Sequence, residues 1–140
     1  MLADQIVYQV LYNSSDLINL LDRVRGRPAK GRAIYTQTPD FSNQSDKDLV
    51  KLSPWVRIGL VPGDDALYAD DNRIIEYPAV QVDCWVDRVR VNDISTIDQL
   101  LYQTLHDAGW ERYYHNSYID GDTPALRMLT GQYQSQGIGF

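Results

Sequence analysis

One stretch limits the possible folds more than any other. From Val80 to Val91 the residues alternate, with Val80, Val82, Cys84 and Val86 pointing one way and Gln81, Asp83, Trp85 and Asp87 the other. A period of two is the mark of a strand, and alternation of this kind belongs to a sheet with one covered face and one polar face. Asp93 to Ala108 then changes to a helical period, with Ile94, Ile97, Leu101, Leu105 and Ala108 on one stripe and Gly109 at the C′ position. Ser95-Thr96-Ile97-Asp98 reads as a capping box at its start. A second alternating strand runs from Trp55 to Val61, with Val56, Ile58 and Leu60 opposite Trp55, Arg57 and Gly59. The sheet's second face, carrying Trp55, Arg57, Gln81, Asp83 and Trp85, is left for solvent or a partner.

The remaining elements fill out an α+β domain: a largely antiparallel sheet, with N-terminal helices and one later helix packed on one face. Ala3 to Tyr12 reads as a helix, and Ser14 or Ser15 caps a second helical stretch through Leu17, Ile18, Leu20 and Leu21. Ala33 to Gln37 and Arg73 to Tyr77 are short strand candidates, while Glu111 to Ile119 and Ala125 to Tyr133 are strands joined by the turn Asp120-Gly121-Asp122. Mobile loops are expected near 23–32, 38–53 and 62–72, and a loose glycine-rich tail over 134–140. At 140 residues the chain has one domain's length, residues 1–140, and can bury a core without disulfides or metal.

Charge is unevenly placed. The net charge is -6, yet five of the thirteen basic residues, Arg23, Arg25, Arg27, Lys30 and Arg32, fall in one ten-residue segment without an acid. That leaves eight bases against nineteen acids elsewhere. Pro28, Gly26 and Gly31 deny this segment a regular helix, so it reads as an exposed loop. Such a loop could neutralise phosphates on DNA or dock on an acidic patch of a neighbouring subunit. The overall acidity argues against a protein that coats nucleic acid, and no recognition motif accompanies the basic segment. Ten tyrosines and three tryptophans against two phenylalanines suit surfaces that become half buried against partners.

Chemistry is sparsely signalled. Cys84 sits on the apolar side of the strongest strand and reads as a buried structural thiol, and neither His106 nor His115 has a catalytic motif around it. Asp64, Asp65, Asp70 and Asp71 could meet on a hard cation, but their spacing matches no calcium frame and reads as a solvated acidic turn. No phosphate-binding glycine signature is present. The expectation is no enzyme, no cofactor and no metal. No stretch approaches the roughly 18 apolar residues of a membrane span, so a soluble protein without a membrane partner is expected.

Three stretches together resemble a known family: Pro62-Gly63-Asp64-Asp65-Ala66 through Tyr68-Ala69-Asp70-Asp71-Asn72-Arg73, then Tyr77 to Asp87 (YPAVQVDCWVD), then Leu105 to Tyr114 (LHDAGWERYY). They are similar to the small tail-component proteins of siphophages of Gram-positive bacteria, encoded in the head-to-tail joining cluster. The likeness is strongest from about Trp55 to Thr130. It implies a tail terminator or tail-completion protein of α+β fold that assembles as a hexameric ring, caps the finished tail tube and faces the head connector. The implied partners are further copies of itself, the major tail protein and the connector proteins, with DNA passing through the ring. The implied location is the virion, reached from the host cytoplasm during assembly. Asp64, Asp65, Asp70, Asp71 and Arg73 would then form a contact loop, and Trp85 would lie in or near the ring interface. Neighbouring neck proteins of the same size and fold, or a small adaptor touching DNA through the basic segment, remain open alternatives.

Overall fold

The computed structural model describes residues 2–39, 41, 44–63, 66–69 and 72–139, with the backbone alone for 66–69, 72–74 and 139. Two helices open the chain, α1 (Ala3–Tyr12) and α2 (Ser15–Arg25). The Ser14 side chain caps α2 by accepting from the Leu17 N–H at 3.3 Å. A short 3₁₀ turn (Lys30–Ala33) leads into β1 (Ile34–Tyr35), followed by α3 (Asp46–Leu52) and β2 (Trp55–Leu60). A hairpin of β3 (Ala66–Ala69) and β4 (Asn72–Glu76) precedes β5 (Ala79–Asp87) and α4 (Val91–Asp107). The chain closes with β6 (Trp110–Ile119), β7 (Leu126–Ser135) and β8 (Ile138–Gly139).

The main sheet has the order β1-β2-β5-β7-β6, antiparallel throughout except for the parallel β1–β2 pair. A smaller antiparallel sheet, β3-β4-β8, stands beyond the Leu60 end of β2. This is the α+β architecture expected, with α1, α2 and α4 on one face of the main sheet. Their apolar stripes, Val7 and Leu11, Leu17 and Leu21, Ile97 and Leu105, enclose one core with Val56, Ile58, Val80, Cys84 and Val86. The helix-facing half of the β5 reading holds, with Val80, Cys84 and Val86 fully buried, but the strand ends at Asp87 and not at Val91, and Asp83 and Trp85 on its other face are buried too.

Four expectations are corrected. First, α4 starts four residues before the anticipated box, because the Arg90 N–H donates to the Asp87 carbonyl at 3.0 Å and turns the chain straight from β5 into the helix. Thr96 therefore lies inside α4 and donates to the Asn92 carbonyl, and Asp98 is freed to meet Arg112 at 3.0 Å. Second, residues 38–53 are not all loop, since Ser45 caps α3 by accepting from the Asp48 N–H. Third, the 62–72 stretch contains a strand, β3, pairing with β4 through an irregularity at Leu67/Tyr68. Fourth, the tail is tied down: Ile138 and Gly139 pair with Glu76 and Ile75, and Ile138 packs on the main core.

Candidate assembly surface

The second face of the main sheet is not left open along its length. α3 and Phe41 fold back over the end nearest Trp55, building a second, smaller core from Trp55, Trp85, Leu126, Met128 and Ala33 with Phe41, Leu49, Val50 and Leu52. Register makes the centre of this cluster, because Trp55 stands opposite Trp85 and their rings stack at 5.5 Å. The Trp85 indole N–H donates to Asp120 Oδ2 at 3.0 Å, and Arg57 lies 4.8 Å over its ring. Trp85 is 9% exposed. The anticipated exposed interface tryptophan is thus a core residue, because a segment of polar composition carries just enough apolar side chains on α3 to cover it.

Farther along the same face the next cross-strand pair is Arg57 and Asp83, bridged at 2.7 Å. Asp83 also accepts from Gln81 Nε2 and from the Thr130 hydroxyl, so its buried carboxylate is fully partnered. Beyond it Tyr114 and Tyr118 on β6 are exposed, 46% and 43%, with Tyr113 exposed at the irregularity beside them. No described strand pairs with the outer side of β6. This aromatic rim is where the tyrosine surplus becomes surface.

The basic segment divides in two. Arg23 and Arg25 belong to the last turn of α2, which runs on to the C-cap Gly26, in the left-handed conformation at φ 86°. Arg25 is no exposed loop residue: its side chain is 1% exposed. It pairs with Asp22 at 3.0 Å and donates to the carbonyls of Leu52 and Pro54, clamping α2 to the start of β2. Burial pushes its guanidinium below the usual arginine value, opposed by Asp22. Arg32 donates to the Tyr12 carbonyl at 2.9 Å and lies 4.7 Å over the Tyr12 ring. Arg23, Arg27 and Lys30 are exposed, and among the described residues none has an ion-pair partner. Lys51, exposed at the end of α3, joins this end of the molecule, as Arg27 Nη2 reaches its carbonyl at 3.4 Å. Nothing in the sequence around Lys51 marks it, since only the packing of α3 against α2 brings it there.

The acidic counterpart is placed by the chain alone. Asp64, Asp65, Asp70 and Asp71 lie outside the described residues, and Arg73 takes its place on β4 opposite Tyr68. Among the described residues no three His, Cys, Asp or Glu side chains gather as a metal site, and no helix is long and apolar enough to cross a membrane.

Both histidines meet carboxylates. His106 contacts Glu111 at 2.7 Å and His115 contacts Asp98 at 3.1 Å. Hydrogen bonds from His106 and Tyr102 hold the Glu111 carboxyl below its ordinary range. Cys84 is fully buried, and the loss of solvent pushes its thiol well above the ordinary range. The expected outcome is that a thiol reagent leaves the native chain unmodified while labelling it at once in denaturant. Rapid labelling of the native chain would restore Cys84 as a candidate nucleophile.

Comparisons bear on the fold. No family model matches the chain, and no curated protein matches it. Among solved structures it is similar to a chain of the virion of a native gene transfer agent particle. That chain is 13% identical, with a TM-score of 0.64 over 98% of this chain and 95% of the other. At such identity the likeness is one of fold, carried across nearly the full length of both chains.

Proposed function

We propose that the chain is a structural protein of a phage-like particle, a tail terminator or tail-completion subunit that closes the tail tube as a ring and joins it to the head connector. The observation that carries this reading is the end-to-end fold likeness to a chain of a gene transfer agent virion. The three stretches that resemble siphophage tail components point the same way. The surfaces and the sequence suit a subunit that buries itself against others: cations without an ion-pair partner among the described residues at one end, four aspartates within eight residues of sequence, and an aromatic rim along β6. Its partners would be further copies of itself in a hexameric ring, the major tail protein and the connector, with DNA passing through the lumen and no cofactor involved.

The test is disruption of the gene in the phage or prophage that carries it. Full heads and free tails should accumulate without joining, and supplying the chain from a plasmid should restore infectious particles. Normal yields of joined particles without the protein would overturn the reading.

The exposed Arg23, Arg27 and Lys30, without an ion-pair partner among the described residues, favour a second reading, a small adaptor contacting DNA phosphates. It requires binding to duplex DNA that weakens steeply with salt and disappears when these three are neutralised. Absence of binding at low salt dismisses it.

A further inference from the structure

Between the basic segment and α3 lies a cavity of about 260 Å³. Pro28, Tyr35, Phe41, Leu52 and Trp55 supply its apolar lining. Arg27 and Lys30, both exposed, add positive charge at its edge. The volume falls below the ~300 Å³ at which small-molecule sites begin, and matches one or two side chains better than a cofactor. An apolar floor with cations beside it suits an aromatic or aliphatic anchor flanked by carboxylates.

The chain contains such a segment. Asp64-Asp65-Ala66-Leu67-Tyr68-Ala69-Asp70-Asp71 sets two aspartates on each side of Leu67 and Tyr68, and no other eight residues carry four acids. Its tethers lie at the far end of the subunit from the cavity. The segment leaves from Leu60 and returns to β5 beside it, where Leu60 stands opposite Val80. Trp55, in the cavity wall, is at the other end of β2, roughly 17 Å away at ~3.3 Å per residue. No described residue between β2 and β5 lines the cavity. A donor at one end and an acceptor at the other make a head-to-tail contact, which closes into a ring when the rotation between copies allows it.

We propose that Leu67 and Tyr68 of one copy dock in the cavity walled by Trp55 and Phe41 of the next, with the flanking aspartates against Arg27 and Lys30. This rests on the self-assembling reading above and gives that assembly its contact.

The test uses the full chain, its mass followed by light scattering up to millimolar concentration. Arg27→Glu with Lys30→Glu should move assembly to at least about tenfold higher concentration, or some 1.4 kcal/mol. Asp65→Lys with Asp70→Lys should do the same. A chain carrying all four reversals should regain the parent's behaviour. Mixing the two doubly reversed chains should regain it as well, because every contact in an alternating ring again joins opposite charges. Tyr68→Ser should weaken assembly to a degree that salt changes little, while the charge reversals are salt-sensitive. Matching melting curves establish that each variant folds. The proposal is overturned if either reversal leaves the mass unchanged, if opposite reversals fail to compensate, or if the parent stays monomeric throughout. If the basic reversal alone acts, the cavity serves some other acidic partner. The particle phenotype is read independently, so the docking can fail while the assignment to the tail stands.

Discussion

Replacing Arg25 by methionine should cost about 3–5 kcal/mol of folding stability, because it removes one side of a buried charged contact while leaving the other groups in place. The guanidinium makes contacts in three directions: the Asp22 carboxylate at 3.0 Å, the Leu52 carbonyl at 3.1 Å, and the Pro54 carbonyl. Methionine keeps much of the stem's bulk and supplies none of the donors, so two carbonyls beside buried Ser53 and Pro54 lose their partners. Lysine should recover only a minor part, since one ammonium cannot reproduce a planar fork that reaches separate acceptors at once. Urea unfolding at neutral pH measures both variants. A loss below about 1 kcal/mol for Arg25→Met would show that the carbonyls find water instead. Hydrogen exchange should place the first loosening at the end of α2 and in α3, the elements this residue joins.

Asp83→Ala should be comparably severe, about 3–5 kcal/mol, for the complementary reason. Its carboxylate, 3% exposed as a side chain, is the common acceptor for Arg57, Gln81 and Thr130. Removing it leaves the buried Thr130 hydroxyl without its acceptor and an arginine without its counter-charge in the middle of the sheet. Asp83→Asn should lose less, about 1–3 kcal/mol, because one oxygen still accepts while the amide faces donors it cannot satisfy. A double-mutant cycle with Arg57→Ala should show strong coupling, since a lone Asp83 would then be a buried charge without its cation. Additive losses from the two single changes would mean that the pair is replaceable by solvent on this face. The ring partners are not needed for this measurement.

Much of the architecture was open to reading in the chain because the signal was local. The alternation of Val80, Val82, Cys84 and Val86 and the stripe of Ile97, Leu101 and Leu105 each report which side is buried, and burial follows. Helix starts were less legible. Ser95-Thr96-Ile97-Asp98 has the composition of a cap, but the Asp87–Arg90 turn had already begun α4, and an earlier start that extends a buried stripe prevails over a cap motif. The basic segment misled in a more instructive way. Arg23, Arg25 and Arg27 look equivalent in a list of charges, yet a helix rotates successive residues by about 100°, so Arg25 turns inward while Arg23 stays in solvent, and Arg27 lies exposed beyond the Gly26 cap. The excursion over residues 38–53 hid α3 because its apolar residues, Leu49, Val50 and Leu52, are few and closely spaced.

By itself, then, the sequence determined the class of fold, the helix-covered face of the sheet, the burial of Cys84, and the concentration of opposite charges in two short segments. Each of these follows from periodicity or composition within a dozen or so residues. The tertiary structure alone decided which of the marked residues are surface. Trp85 is covered within a second core where α3 comes down on it, and Arg25 became a clamp. Arg57 and Asp83 became a pair through strand register, which no single strand contains. The cavity beside Trp55 is of the same kind, since its walls come from separate helices, strands and turns and exist only where they meet. Local pattern can say that a side chain will be buried, but what it meets there depends on packing between distant parts of the chain.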